Sequence, residues 1–361
     1  MKTKVFLIAL FILNVFQISA QNLDEVTLVV SADGVTKDEA TKVALRSAIE
    51  QAYGTFVSAN TTLLNDEIVK DEIVTISNGN IKQYKEIASL VLPNGNQCVT
   101  LQATVCVSKL TSYAQSKGAI TEFAGAAFAM NIKMKELNKK NEMIALNNLY
   151  EQLKYIIPSM YDRKLIVSDP VVLENGDYKI KMKFRFVGND NKIKFYKILI
   201  QTLNSLCLSK DQLREYESMN MKHSYFKLLA DYLMRDVELG RLPEHEIIYY
   251  LRNDKTDVFK VGLKLMYLMF KEFQNFIIKD NLGKVYAQGG TFDEDMNASQ
   301  VSIGVNRITR NLLEQNYICY YMTREGVKWE WFNLDPTFDI EVTIPKDYIM
   351  KINNFSIQKK D

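Results

Sequence analysis

The sequence predicts an α+β protein built as several small domains: a strand-helix-hairpin unit at the N-terminus, a central unit of helices and a hairpin, and a mixed α/β C-terminal part with a strand-rich end. Three observations carry that expectation. A chain of 361 residues with 47% hydrophobic content is too long for one small core. The N-terminal part reads strand, helix, short helix, hairpin, a unit complete by about residue 115. Asn-Gly pairs at Asn94-Gly95 and Asn175-Gly176 sit between apolar runs, where they supply the positive backbone angles of tight hairpins.

The chain opens with Lys2 and Lys4, then an apolar run from Val5 to Phe16 interrupted only by Asn14, then Gln17-Ile18-Ser19-Ala20. Residues 1–20 read as a secretory signal peptide, with Gln21 as the mature start and Ile18 where a smaller residue is preferred. No cysteine follows the apolar run closely enough to accept a lipid, since the next is Cys98. The most apolar later stretch, Val261 to Phe270, is interrupted by Lys264 and falls short of the roughly 20 residues of a membrane helix, so no transmembrane span is expected in the mature chain. Lys and Arg number 45 against 43 Asp and Glu, and without Lys2 and Lys4 the two counts are equal. A balanced chain has no sequence-wide attraction for nucleic acid, and no nucleic-acid partner is expected.

The domains are expected at 21–115, 116–210 and 211–361. In the first, Val26 to Ser31 is a strand by its Val and Leu content, and Ala32-Asp33-Gly34 turns the chain. Thr36-Lys37-Asp38-Glu39 reads as a capping box that opens a helix, with the Glu39 side chain returning to the Thr36 amide. Ala40, Ala44, Ala48 and Ala52 then form a small-residue stripe suited to lying close on a sheet, and Gly54 reads as the stop. Asp66 to Ile76 reads as a shorter helix, and Ile81–Leu92 with Gln97–Leu110 as a hairpin.

Residues 26–110 resemble the N-terminal domain of flagellar assembly protein T and related small outer-membrane lipoproteins of Gram-negative envelopes. The matching features are Gly34 before the helix, the Ala40, Ala44 and Ala48 register, Gly54, the Asp66 to Ser77 segment, and Gly79, Ile81 and Tyr84 leading into the hairpin. The resemblance covers about a quarter of the chain and implies an envelope assembly component without catalysis.

In the second domain, Ile120 to Tyr161 is helical by periodicity, and its Lys133, Lys135, Lys139 and Lys140 read as a solvated basic face. Lys164–Val171 and Tyr178–Val187 form a second hairpin, followed by a helix over Lys192–Leu208. In the third, Ser209-Lys210-Asp211-Gln212 is another capping box, and Tyr225–Val237 reads as a helix. Ile247–Arg252 reads as a strand, Val258–Phe273 as a helix, and Asn275–Gln288 as a hairpin turning at Asp280-Asn281-Leu282-Gly283. Strands over Tyr317–Thr323, Lys328–Phe332 and Phe338–Ile344 precede a short helix after Pro345.

Motifs for catalysis are missing: there is no GxGxxG, Walker loop, GxSxG or HExxH, and His223 and His245 are the only histidines. No cofactor is expected. Cys98 and Cys106 lie eight apart in one expected strand, roughly 27 Å and far beyond disulfide reach. Pairs involving Cys207 or Cys319 stay open, with buried free thiols the favoured state. Asp293, Asp295 and Asn297 begin like a calcium loop, but Ala298 stands where the turn glycine belongs and Gly304 where the bidentate glutamate belongs, so they are only weak metal candidates. Trp329 and Trp331 alternate on one strand, and with Tyr320, Tyr317, Tyr321, Tyr249 and Tyr250 they make either the inner face of a sheet or a platform for a sugar. The sequence therefore points to a non-enzymatic exported protein of the periplasm or outer-membrane periphery that binds envelope protein partners. The alternative is a glycan-binding or carbohydrate-active protein using the C-terminal aromatic platform with the acids of 293–295.

Overall fold

The computed structural model describes residues 24–56, 79–116, 127–229, 247–288, 318–322, 327–331 and 337–359. They show an α+β architecture of several small sheets, none larger than four strands. The chain packs as two compact units, one drawn from residues up to 89 and 96–141, the other from 90–95 and 142 onward.

The first unit holds β1 (Glu25–Gly34), α1 (Lys37–Phe56), most of β2 (Ile81–Val91), β3 (Gln97–Cys106), α2 (Val107–Ser116) and the N-terminal half of α3 (Ala127–Ile156). Strand β3 is central, in the order β1-β3-β2, and pairs antiparallel with β1 from Glu25↔Cys106 to Gly34↔Gln97. Period-two alternation puts Val26, Leu28 and Val30 with Leu101, Ala103 and Val105 on one face, all buried. Against them lies the alanine stripe of α1: Ala40, Ala44, Ala48 and Ala52 have no exposed surface. The approach is close enough that a Cβ on Gly34 would stand 2.7 Å from the Ala40 amide nitrogen, which is why the turn into α1 takes glycine.

Thr36 caps α1 as its sequence suggests, accepting from the Glu39 amide at 3.2 Å. The reciprocal bond differs: Glu39 accepts from Val35 N–H at 2.9 Å, one residue earlier than a capping box requires. Gly54 does not stop the helix, which continues to Phe56. Phe56 is 1% exposed, and burying its ring outweighs the about 1 kcal/mol that a mid-helix glycine costs. Strand β3 likewise ends at Cys106 rather than Leu110. Val107 and Leu110, three apart and fully buried, turn the chain into α2, and the Val107 amide donates to Asp24 O at 2.6 Å. Cys98 and Cys106 are free thiols on the one strand β3, and Cys207 is free as well.

Outer strand β1 has a neighbour that is not a strand. Asn141 of α3 accepts from Val29 N–H at 2.9 Å and donates to Val29 O at 2.9 Å, so its amide takes the place of an adjoining backbone. The same Nδ2 donates to Gln51 of α1 at 2.9 Å.

The second unit begins with the rest of α3. This helix starts at Ala127 among the described residues and ends at Ile156, short of the expected Tyr161, because Pro158 opens a 3-10 turn over Ile157–Ser159 and Tyr161 is already in a strand. Strands β4 (Tyr161–Val167), β5 (Val171–Val172) and β6 (Tyr178–Gly188) follow, with Gly176 at φ +84° in the turn before β6. Strand β6 alternates buried Ile180, Met182, Phe184 and Phe186 with outward Lys181, Lys183 and Arg185. Helices α4 (Asp190–Leu206) and α5 (Lys210–Ser218) come next, the first capped by Asn189 and the second by the full Ser209–Gln212 box.

Of the helix expected over Tyr225–Val237, the described part, Tyr225–Leu229, lies instead in strand β7 (Ser224–Leu229), and 230–237 fall outside the described residues. Residues of β7 pair antiparallel with β8 (Ile247–Leu251) and parallel with β12 (Val327–Trp331), and that pairing overrides the helical reading here. Helix α6 (Lys255–Gln274) starts earlier than Val258 because Asp254 caps it, accepting from Thr256 and Asp257 amides. Strands β9 (Ile277–Asp280), β10 (Val285–Gln288), β11 (Ile318–Met322) and β13 (Thr337–Ile344), the single turn α7 (Lys346–Ile349) and β14 (Phe355–Gln358) complete the set. The sheets are β13-β6-β4, β10-β9-β14 and β11-β12-β7-β8. The expected helix over 66–76 lies outside the described residues.

Asn141→Ala removes both partners of the Val29 peptide and leaves buried polar groups unmatched. We expect a loss of about 1–3 kcal/mol in urea unfolding, with the native far-UV spectrum retained.

Candidate functional site

The aromatic sheet is the first place to look. In β11-β12-β7-β8 the register sets Tyr320 opposite Trp329 and Ile318 opposite Trp331. Across the parallel pair, Trp329 lies beside Leu228 and Val327 beside Phe226, and Phe226 in turn is opposite Tyr249. The positions of Tyr320, Trp329 and Trp331 therefore share a face with Phe226, Tyr249 and Leu251, which are 5%, 1% and 0% exposed. Helix α6 packs on strands β7, β11 and β12 of this sheet. Tyr250 and Tyr321 take the opposite face, where Tyr250 meets the Tyr225 ring edge-on at 6.4 Å and Ile248 is exposed. Tyr317 lies outside the described residues, as do Asp293, Asp295, Asn297 and His245. His223 sits with Nδ1 3.3 Å from Met221 O, near the Tyr250 ring.

Buried carboxylates are the second place. Glu142 of α3 has no side-chain exposure, and each of its oxygens takes two donors. Oε1 accepts from Asn253 N–H at 3.0 Å and Asn253 Nδ2 at 2.9 Å; Oε2 accepts from Arg252 N–H at 2.9 Å and Arg252 Nη1 at 3.3 Å. Burial raises its pKa, and the Arg252 and Asn253 contacts pull it back. Arg252 also donates to Leu206 O at 2.6 Å and to Gln212 at 3.4 Å, so one guanidinium serves the end of α4 and the cap of α5 together. In the same unit Glu272 of α6 accepts from Arg163 and lies 3.4 Å from Lys359 Nζ, which donates to Pro158 O at 2.8 Å.

The third cluster was not foreseen as a site. Asp280, 2% exposed, ends β9. Its Oδ1 accepts from Leu282 and Lys284 amides at 2.8 and 3.0 Å, and its Oδ2 from the hydroxyls of Tyr286 at 2.8 Å and Tyr348 at 3.1 Å. Lys284 Nζ stands 4.8 Å from the Tyr348 ring centre and 5.5 Å from that of Tyr286. Burial works against the Asp280 charge, but the four donors, Tyr286 foremost, outweigh it and hold the pKa below the ordinary carboxylate value. Burial and the bond to Asp280 push the Tyr286 hydroxyl well up. The Asp-Asn-Leu-Gly turn was legible, with Gly283 at φ +89°, but Tyr348 lies 68 residues away and carries no local signal.

No family model, curated protein or solved structure matches the chain.

The register of the aromatic sheet predicts that Phe226→Ala, on the face shared with the position of Trp329, costs about 3–5 kcal/mol in thermal or urea unfolding, and that Trp329→Ala leaves retention on immobilised glycans at the background of the parent protein. The Asp280 cluster predicts acid sensitivity. A carboxylate with a lowered folded pKa contributes stability that is complete above about pH 3.9 and is lost as pH falls through the folded value. Asp280→Asn should therefore cost about 1.5–3 kcal/mol at pH 7 and flatten the acid limb of the stability profile, read by tyrosine near-UV dichroism.

Proposed function

We propose that this chain is a non-enzymatic exported protein, working in the periplasm or at the outer-membrane periphery as a structural or assembly component that binds other envelope proteins. The observation that carries the reading is the state of the buried acids: Glu142 and Asp280 each accept four hydrogen bonds, and Glu272 meets two cations. Acids matched so completely fasten elements together, whereas a general acid or base keeps an oxygen open to its substrate. The resemblance of residues 26–110 to the N-terminal domain of flagellar assembly protein T supports a docking role for that part, and the reading of residues 1–20 as a signal peptide supports export. A glycan-binding role for Tyr320, Trp329 and Trp331 draws on the ladder that sets Tyr320 opposite Trp329; their shared face with buried Phe226 and Tyr249 favours the first reading.

Mild cross-linking of the native host followed by fractionation tests the proposal. The chain should be recovered starting at Gln21 and in a complex with outer-membrane proteins. Recovery in the cytoplasm with residues 1–20 attached, or as a free periplasmic monomer, overturns it. So does hydrolysis of a cell-wall glycan by the purified protein.

A further inference from the structure

The sheet β10-β9-β14 presents its two tips to solvent as one fixed edge. Asn281 joins them: its Oδ1 accepts from Asn353 N–H at 2.8 Å and Asn354 N–H at 3.4 Å, and its own N–H donates to Asn354 O at 3.2 Å. Tyr348 adds the bond to Asp280 at 3.1 Å. Leu282, next to Asn281, is 50% exposed, and Met350, two residues beyond Tyr348, is 69% exposed. Neither has a packing reason to be large and apolar at the end of a turn. Lys284, Lys346 and Lys351 are exposed on the same two segments, where the acids are Asp347 and the buried, fully bonded Asp280. Tyr286 and Tyr348 lie beneath Lys284, each with an apolar ring and a bonded hydroxyl.

We infer that the joined β9–β10 turn and α7–β14 loop dock on an anionic phospholipid surface, with Leu282 and Met350 entering the headgroup boundary and Lys284, Lys346 and Lys351 meeting lipid phosphates. Local excess of positive charge around protruding apolar tips is complementary to such a surface, even though the whole chain is close to neutral. Docking needs no chain ordering, because Asn281 and Asp280 already hold the tips in place. The inference rests on the proposed envelope location, since that is where the chain would meet a bilayer.

Flotation of the full mature chain with vesicles of phosphatidylethanolamine and phosphatidylglycerol tests it. The protein should float with these vesicles and not with pure phosphatidylcholine, and raising salt from 0.05 to about 0.5 M should weaken binding at least tenfold. Leu282→Ser with Met350→Ser should lower the partition coefficient at least tenfold, and Lys284→Gln with Lys346→Gln and Lys351→Gln should remove most of the salt dependence, both with unchanged circular dichroism. No flotation, equal flotation with phosphatidylcholine, or binding untouched by the double serine variant overturns the inference. Concentration-dependent dimerisation lost in that variant, without flotation, assigns the tips to a second copy instead. The vesicle result is independent of residues 1–20 and of any protein partner, so it can fail while the fractionation succeeds, and the reverse.

Discussion

A carboxylate with no access to water has to be matched donor for donor, and the second unit is organised around meeting that demand for Glu142. Four donors from Arg252 and Asn253 converge on it, two of them backbone amides, at the end of β8 just before α6 begins. Arg252 is then held by Leu206 and Gln212, which ties the end of α4 and the cap of α5 to the same point. Removing a single partner would leave an uncompensated buried charge, which is the costly way to break such a pair. The ends of β8, α4 and α5 are therefore tied to one another through one side chain of α3.

The first unit depends on its neighbouring residue in a different way. Asn141 completes the outer edge of β1 with a side-chain amide, and edge strands left open are templates for unwanted pairing. On the apolar face of the same sheet the alanine stripe of α1 approaches until only glycine fits at residue 34. Asparagine does here what a fourth strand would do elsewhere.

The remaining polar clusters follow the same economy. Asp280 gathers two tyrosines and two amides, and Glu272 gathers Arg163 and Lys359, each binding a late C-terminal segment to earlier elements. Among the described residues, the three buried carboxylates Glu142, Asp280 and Glu272 each meet their donors inside the unit.

By itself the sequence determined the local structure: the positive backbone angles at Gly95, Gly176 and Gly283, the Ser209–Gln212 capping box, the alternation of β6 and the alanine stripe of α1. Each of these is settled by interactions within about four residues or by a strict period, so the α+β class and most elements could be read directly. Tertiary structure alone decided that Ser224–Leu229 is strand, because Ser-Tyr-Phe-Lys-Leu-Leu is too short for its pattern to choose a period and takes the state its partners β8 and β12 impose. It decided that Val107–Ser116 is helix, through the burial of Val107 and Leu110, and that Phe355–Gln358 becomes a third strand beside β9. It assembled Glu142 with Arg252 across 110 residues and Asp280 with Tyr348 across 68. No propensity marks such pairs, since their energy arises only when folding removes both groups from water together.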